Sequence, residues 1–411
     1  MSHPAPAPAH SQSESSRPLA EVARVFLRLG LTSFGGPIAH LGYLHEEIVH
    51  RRRWLEETDY ADLVALCQFL PGPASSQVVF ALGQRRAGLP GALVASLCFT
   101  LPSALLMIAF GYGISSVSSL DAAGWLHGLK LAAVAVVAQA VWVMGRKLCP
   151  DLPRLALGLL AAAAVIFYPH TTTQLGVIAA GAAAGWWLYR REPRSRSGPA
   201  AGWIARQHLW AALTLGIFGL LLVGLPLAAA ATGYRPVQLF DSFYRAGALV
   251  FGGGHVVLPL LRAEVVPPHW ISDEQFLAGY GLAQAVPGPL FTFAAYLGTV
   301  ITGGPHAWLG GLGCLFAIFL PAWLLIGGAL PFWNLLRSQA GVQTALRGAN
   351  AAVVGVLLAA LYHPVWQEGV TDVRDIIAVV VAFALLQVAR VPAWAVVLLT
   401  ALYGWLTLPG T

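Results

Sequence analysis

The sequence predicts an all-α polytopic membrane protein made of two inverted homologous repeats, whose broken or re-entrant helices meet near the membrane midplane. Three observations support this fold class: an apolar composition, a duplicated motif, and glycine and proline inside apolar segments. Of the 411 residues, 57% are hydrophobic and 10% are charged, against roughly 25% charged residues in a soluble domain. No Asp, Glu, Lys or Arg occurs between Glu274 and Arg337, and about 20 apolar residues suffice to span the bilayer core.

The duplication shows at two pairs of motifs. Phe26-Leu-Arg-Leu-Gly-Leu-Thr-Ser-Phe-Gly-Gly-Pro37 matches Phe243-Tyr-Arg-Ala-Gly-Ala-Leu-Val-Phe-Gly-Gly-Gly254 at an offset of 217 residues (245 − 28). Further along, Gln68-Phe-Leu-Pro-Gly-Pro73 recurs as Gln284-Ala-Val-Pro-Gly-Pro289. Broken helices are tolerated in a membrane only where they are buried in protein or line a wet cavity. Matching breaks in two halves are therefore typical of a secondary transporter's binding site.

Composition and hydropathy divide the chain into parts. The first 18 residues have no apolar core and are expected to be disordered, and interrupted elements follow at 20–50 and 60–84. The predicted parts are a disordered cytoplasmic tail at 1–18, the first repeat at 19–189, an arginine-rich cytoplasmic linker at 190–208, an unpaired transmembrane helix at 209–236 and the second repeat at 237–411. Continuous or interrupted spans are expected near 89–112, 123–145, 155–168, 173–189, 209–232, 238–262, 275–302, 306–333, 343–363, 373–389 and 392–408.

Positive charge orients the repeats, because cytoplasmic loops collect Lys and Arg. Basic loops occur at Arg51-Arg52-Arg53 and Arg85-Arg86, whereas loop 263–274 has no Lys or Arg. The repeats are thus expected to lie antiparallel, with a cytoplasmic N-terminus. Basic residues flank both interrupted elements of the first repeat, which favours re-entrant hairpins, although full crossings remain the alternative.

At these motifs the chain resembles the chromate ion transporter (CHR) family in its long form, which consists of two fused homologous halves. The resemblance runs roughly from Glu21 to Thr407. It is carried by Phe34-Gly35-Gly36-Pro37, by the two Pro-Gly-Pro turns and by Phe251-Gly252-Gly253-Gly254-His255. The resemblance implies export of chromate, a dianion shaped like sulfate, across a bacterial inner membrane by the proton motive force.

A tetrahedral dianion inside a membrane requires hydrogen-bond donors. Free N–H groups at helix N-termini suit an oxyanion, and the motifs place such N-termini after each break. Nearby hydroxyls could complete the site, or they could bond their own backbone. The predicted substrate-binding residues are Gly35, Gly36, Pro37, Gln68, Pro71, Gly72, Pro73, Ser75, Ser76, Gly252, Gly253, Gly254, His255, Gln284, Pro287, Gly288, Pro289 and Thr292.

Ionisable residues in apolar segments are further candidates. Arg28 and Arg245 are matched in the repeat and are expected to neutralise the dianion with forked donors; the alternative is snorkelling from a helix end. His255 is a candidate proton carrier. Glu47 and Glu264, also matched, either carry protons or are solvated loop carboxylates.

Several classes of function lack support in the sequence. No metal-ligand spacing, nucleotide-binding loop or catalytic constellation is present, so no metal, cofactor or enzyme activity is predicted. The net charge of +6 lies mainly in cytoplasmic loops and indicates topology, not binding to nucleic acid. The expected partners are a chromate-like or sulfate-like dianion, protons and the lipid bilayer. Gly181 and Gly185 permit either close helix packing or a homodimer. A sulfate carrier and a passive anion channel remain alternatives.

Overall fold

A computed structural model describes residues 18–34, 36–115, 124–168, 170–189, 208–250, 256–332 and 340–407, which contain helices and no strands. The all-α prediction is confirmed. In the first repeat the helices are α1 (Pro18–Thr32), α2 (Gly36–His45), α3 (Glu57–Phe69), α4 (Ala74–Ser115), α5 (Gly124–Leu148), α6 (Leu152–Phe167) and α7 (Thr171–Tyr189). The linking helix is α8 (His208–Thr232). The second repeat contains α9 (Arg235–Ala248), α10 (Val257–Val265), α11 (Asp273–Ala285), α12 (Phe293–Thr302), α13 (Ala307–Ala329), α14 (Ala340–Ala360), α15 (Val373–Gln387) and α16 (Ala393–Thr407). The predicted tail, as far as residue 17, and the predicted linker at 190–207 lie outside the described residues.

Helix α4 is a hairpin of two helices. Its backbone leaves the helical conformation at Ala87 and Gly88, where Gly88 has φ +67°. Gly83 and Gly91, on either side of this break, pack so closely that a Cβ on either would collide with the other's carbonyl. In the second repeat the same hairpin is formed by α12 and α13, with Gly298 against Gly310. Each helix of α1 to α7 thus has a counterpart in the second repeat, and α8 has none.

The helices around the breaks are short. Helices α1, α2 and α3 contain 15, 10 and 13 residues, or at most about 22 Å at 1.5 Å per residue. The hydrocarbon core is about 30 Å thick, so a single one of these helices cannot cross it. Within the described ranges, five other helical segments are long and apolar enough to do so, namely Ala74–Ile114 (which contains the break), Gly124–Leu148, Leu209–Thr232, Ala307–Ala329 and Gln343–Gly369.

Each repeat packs its first helix by means of a matched glycine. A Cβ on Gly30 of α1 would lie 2.7 Å from the backbone oxygen of Phe99. Gly247 of α9, at the equivalent position, meets the backbone oxygen of Ile318 in the same way. The duplicated glycine therefore permits close contact of α1 with α4 and of α9 with α13.

The remaining helices are exchanged between the repeats. Helix α5 packs against α15 and α16 of the second repeat, and α14 packs against α6 and α7 of the first. Small residues make both contacts close: Gly128 meets Thr400, and Gly185 meets Gly348. Gly181 also packs against Gly348. Gly181 and Gly185 serve close packing within the chain, so the sequence argument for a homodimer through them is wrong.

This exchange predicts a strong effect of a larger residue at Gly185. A Cβ there would lie 2.5 Å from the backbone oxygen of Thr344 and 2.6 Å from the nitrogen of Gly348, and overpacking of a tight core costs typically about 1–3 kcal/mol or more. Gly185→Leu is expected to abolish the monodisperse peak in size-exclusion chromatography. Gly216→Leu in α8, where no atom lies within 4 Å of the Cβ position, is the control and should behave as wild type. Equal behaviour of both variants would contradict the exchanged packing.

The outer surface carries large apolar side chains, as a bilayer requires. Leu220 of α8 is 71% exposed. Helix α4 presents a line of exposed leucines four residues apart, which places them on one helix face: Leu89, Leu93, Leu97, Leu101 and Leu105. In a soluble protein such a surface would promote aggregation, whereas in a membrane protein it suits contact with lipid.

Candidate functional site

The two Pro-Gly-Pro turns are largely buried, and their glycines share a positive φ. Pro71-Gly72-Pro73 joins α3 to α4, and Pro287-Gly288-Pro289 joins α11 to the short helical turn before α12. Gly72 has φ +111° and Gly288 has φ +99°, a region that residues with a Cβ rarely occupy. The glycines of both turns are therefore required by the backbone itself.

The turns bind the opposite repeats reciprocally. Gly72 N–H donates to the carbonyl oxygen of Val250 at 2.7 Å, and Gly288 N–H donates to that of Ser33 at 2.8 Å. Ser33 and Val250 are equivalent residues (250 − 33 = 217), and each immediately precedes a Phe-Gly-Gly motif. Contacts in which i meets j and j meets i are those of a two-fold arrangement. The Pro-Gly-Pro turn of each repeat and the residue that precedes its Phe-Gly-Gly motif thus lie at the interface between the repeats.

The packing of the turn glycines follows the same rule. A Cβ on Gly72 would lie 3.2 Å from Cβ of Ala322, and a Cβ on Gly288 would lie 2.7 Å from Oγ of Ser103. Ser103 and Ala322 follow the matched prolines Pro102 and Pro321 at an offset of 219 residues (321 − 102). Backbone and side-chain contacts of each turn both reach into the other repeat.

The glycine-rich motifs are described only in part. Gly36 begins α2 with φ +76°, and Pro37 lies within the same helix. The predicted site residues outside the described part are Gly35, Gly252, Gly253, Gly254 and His255. Direct contact between the two glycine motifs therefore stays a prediction. The residues that precede them, Ser33 and Val250, contact the Pro-Gly-Pro turns through the two backbone hydrogen bonds.

Hydroxyl groups near the turns behave differently from one another. Thr292 Oγ1 donates to Pro289 O at 2.8 Å. Its single hydroxyl proton is therefore engaged with the backbone and cannot also be donated to an oxyanion. Ser75 is buried. Ser76 Oγ is buried without a hydrogen-bond partner. The same is true of Nε1 of Trp323, the residue after Ala322.

The matched glutamines have different surroundings. Gln284 Nε2 is buried without a partner, whereas Gln68 is exposed. The reason is the packing of their helices, because α11 is covered by α5 and α16 while α3 packs chiefly against α4. Substrate binding by both glutamines stays a prediction, and the burial of Gln284 makes it the stronger candidate of the two. Buried unpartnered donors cost free energy, and Gln284, Ser76 and Trp323 supply such donors beside the turns.

The matched arginines Arg28 and Arg245 have different surroundings, and their role in neutralising the dianion stays a prediction. Arg245 donates through Nε and Nη2 to Asp241 at 2.8–3.1 Å, and through Nη1 and Nη2 to Glu264 at 2.9 and 2.8 Å. Two carboxylates thus share the single positive charge of Arg245. Arg28 is exposed, and the position equivalent to Asp241 is occupied by Arg24.

The matched carboxylates Glu47 and Glu264 are likewise engaged in ion pairs. Glu47 is only 6% exposed and accepts from Arg52 Nε at 2.8 Å, while Glu264 accepts from Arg245. The alternative that they are solvated loop carboxylates is wrong. Both are largely buried and ion-paired, and their role as proton carriers stays a prediction.

His40 is a site residue that the sequence reasoning missed. Its side chain is buried, with Nε2 3.1 Å from the carbonyl oxygen of Ser33, which also accepts from Gly288. Its Nδ1 is buried without a partner. The sequence could have indicated His40, because the equivalent residue in the second repeat is the apolar Val257. A polar residue at one of two equivalent core positions suggests a specific role.

Among the described residues, one group has the composition of a metal site. Ligand atoms of His45, His50 and Glu57 all lie within 4.8 Å of one another. His45 Nε2 already lies 2.8 Å from both Glu57 oxygens. At the equivalent place Arg262 binds Asp273 at 2.7 and 2.9 Å. The ion pair of the second repeat joins α10 to α11. His45 and Glu57 are therefore best explained as the corresponding polar contact that joins α2 to α3.

Comparison with known proteins agrees with this architecture. A family model described as chromate transporter matches twice, over residues 20–186 and 237–405. The chain is 30% identical over 399 residues to a chromate transport protein of Pseudomonas aeruginosa, covering 93% of this chain and 91% of that one. It is 26% identical over 402 residues to a chromate transport protein of Cupriavidus metallidurans, covering 95% and 94%.

A probable chromate transport protein of Synechococcus elongatus is 29% identical over 352 residues, or 84% of each chain. No solved structure matches significantly. The family consists of transporters and not enzymes, which agrees with the lack of a catalytic constellation in the sequence. With both halves matched by the family model, this multi-pass membrane protein belongs to the chromate transporter family.

Proposed function

We propose that the protein exports chromate, or a related tetrahedral oxyanion, across the bacterial inner membrane, driven by the proton motive force, and so confers chromate resistance. One observation carries the proposal: the two Pro-Gly-Pro turns hydrogen-bond reciprocally across the repeats, beside the buried, unpartnered donors of Ser76, Gln284 and Trp323. The printed names of the relatives support chromate as the substrate.

The arrangement suits a carrier. Alternating access requires one repeat to move against the other around a central site, and few bonds must change if each turn is held by a single backbone hydrogen bond from the other repeat. The reciprocal contacts also fit inverted repeats, with the N-terminus and Arg51-Arg52-Arg53 on the cytoplasmic side. A cytoplasm-negative potential favours export, because it is worth about 2.3 kcal/mol per charge per 100 mV and acts twice on a dianion.

Flux into inverted membrane vesicles tests the proposal. Vesicles containing the protein should accumulate radiolabelled chromate when the membrane is energised, and an uncoupler should abolish the accumulation. Vesicles from cells without the protein are the control. Accumulation that persists on an imposed pH gradient after valinomycin and potassium collapse the membrane potential would indicate a proton-coupled carrier, whereas its loss would indicate a passive channel that follows the potential. No flux above the control would contradict the proposed function.

The two glutamines provide a matched pair of variants. Gln284→Ala removes a buried donor beside the Pro287-Gly288-Pro289 turn, and a hydrogen bond to a charged group is worth about 1.5–3 kcal/mol. Chromate transport is therefore expected to show an apparent KM about 10- to 100-fold higher. Gln68→Ala, at the exposed equivalent position, should leave the KM unchanged. If the two variants behaved alike in the vesicle assay, Gln284 would not contact the substrate.

A further inference from the structure

The surroundings of the two turns differ in polarity although their backbones match. Gly288 N–H donates to the carbonyl oxygen of Ser33, which His40 Nε2 also contacts, and Ser103 Oγ lies against Gly288 while its own proton is donated to Thr100 O at 2.9 Å. The equivalent residues on the Gly72 side are Val250, Val257 and Ala322, all fully buried. These three positions are thus apolar in the other half, where the polar neighbour of the turn is instead Gln77, whose Nε2 donates to Pro71 O at 2.8 Å. We call Ser33, His40, Ser103 and Gly288 the Gly288 site.

His40 is part of the immediate surroundings of Gly288. The imidazole Nε2 and Gly288 N–H share the carbonyl oxygen of Ser33, at 3.1 and 2.8 Å. The ring of His40 also packs edge-on against Phe99, with centroids 5.6 Å apart, and a Cβ on Gly288 would lie 3.4 Å from the backbone oxygen of Phe99. His40 is 1% exposed. Its ring is therefore fixed from two sides next to the turn.

These contacts determine which ring nitrogen carries the proton. A carbonyl oxygen can only accept, so Nε2 must be the protonated nitrogen in the neutral ring. Nδ1 then presents a lone pair, and this atom is buried with no hydrogen-bond partner. An oxyanion oxygen is also an acceptor. The two atoms repel each other unless a proton lies between them.

We propose that the Gly288 site binds a tetrahedral oxyanion together with one proton, which is shared between His40 Nδ1 and an oxyanion oxygen. This inference rests on the proposed function, which supplies the oxyanion. The charges balance, because a dianion and one proton from solution form a bound unit of net charge −1. Lowering the charge reduces the cost of burying the anion, and this matters because the four residues of the Gly288 site include no arginine or lysine.

The shared proton also provides selectivity between dianions of the same shape. Chromate is a much stronger base than sulfate, so it holds a proton against Nδ1 more strongly. The Gly288 site is therefore expected to prefer chromate. Geometry alone would not distinguish the two anions, since both present four oxygens and two charges.

Few titratable groups compete with His40 for this proton. The turn at 286–289 has none, and Ser33 and Phe99 have none. The other titratable residues on the elements packed around His40 are Cys98 and Tyr112 on the second segment of α4, Glu21, Arg24 and Arg28 on α1, and Tyr43 and His45 on α2. Glu21 is held by Arg52 and Arg86, and Arg24 and Arg28 are exposed.

Proton uptake on binding tests the inference without relying on transport. Chromate is added to the purified full-length protein in weakly buffered, mildly alkaline detergent solution, and proton uptake is followed with an indicator dye while equilibrium dialysis gives bound chromate. Wild type should take up about one proton per chromate bound. His40→Gln retains a donor for Ser33 but has no titratable nitrogen, so it should take up none and bind chromate about tenfold more weakly. Its preference for chromate over sulfate should shrink.

The control is His306→Gln, which changes an exposed histidine and should behave as wild type. Unchanged proton uptake by a folded His40→Gln would overturn the inference. If that variant fails to fold, the wild type alone tests the inference. Its chromate Kd should rise with pH, because binding takes up one proton. A Kd that does not change with pH would overturn the inference. Failure of wild type to bind chromate at all would contradict the proposed function instead.

Discussion

Gly288→Ala is expected to abolish chromate transport. Gly288 has φ +99°, where a residue with a Cβ is strained by about 1–3 kcal/mol. The new Cβ would also lie 2.7 Å from Ser103 Oγ, so either the turn or α4 must shift. Either shift moves the Gly288 N–H away from Ser33 and separates the repeats at their shared contact.

Gly72→Ala should also impair transport, but less severely. Its backbone strain is similar at φ +111°, yet its Cβ would meet Gln77 Nε2 at 3.1 Å and Ala322 Cβ at 3.2 Å, which a small adjustment relieves. Gly113→Ala, with no atom within 4 Å of the Cβ position, is the control. Variants with equal membrane yield would be compared by chromate accumulation in inverted vesicles. Wild-type accumulation by Gly288→Ala would mean that the turn has no part in transport.

The second large effect is expected at Arg245. Arg245→Met leaves two adjacent carboxylates without a counter-ion, namely Asp241, which is buried, and Glu264, whose side chain is 11% exposed. Removing one partner of a buried ion pair costs about 3–5 kcal/mol, so the variant should fail to accumulate in the membrane. Arg28→Ala changes an exposed residue and should accumulate normally.

A triple variant separates folding from transport at Arg245. Arg245→Met combined with Asp241→Asn and Glu264→Gln removes all three charges, and replacing a complete buried ion pair by neutral residues is often tolerated. The triple variant is expected to regain both membrane yield and chromate accumulation. Recovery of yield without any transport would show that Arg245 acts on the substrate and is more than the counter-ion of two carboxylates.

The repeats and the breaks could be predicted from the sequence because glycine and proline impose specific backbone conformations on their immediate neighbourhood. Gly72 and Gly288 occupy a backbone region that favours glycine, and the matched Gly30 and Gly247 permit close helix contact. Such requirements act within a few residues, so they are visible as a pattern. Whether the first elements are re-entrant hairpins or full crossings stays a prediction.

The partners of charged residues were not predictable in the same way. Arg28 and Arg245 are the same residue at equivalent positions, but Asp241 has Arg24 as its counterpart, and Glu47 is paired with Arg52 from a loop. An ion pair depends on which side chains the tertiary structure brings together, and that is decided by the folding of the whole repeat. The exchange of α5 and α14 between the repeats was likewise invisible to hydropathy, because it does not change which segments are apolar.

Positions at which the two repeats differ also point to the site, and a search for matching residues overlooks them. His40 and Val257 occupy equivalent core positions, as do Ser103 and Ala322. Substitution of polar for apolar residues at several such positions marks one side of a two-fold interface as distinct. The predicted His255 lies outside the described residues, and its role in proton coupling stays a prediction.

The most direct test of the central claim, that the oxyanion binds between the repeats at the Pro-Gly-Pro turns, is a crystal structure with tungstate. Tungstate is a tetrahedral dianion whose metal is located by anomalous scattering. We expect an anomalous peak at the interface of the repeats, within hydrogen-bonding reach of His40 and the Pro287-Gly288-Pro289 turn. Peaks confined to the outer surface, such as Arg51-Arg52-Arg53, with none at either turn, would contradict the claim.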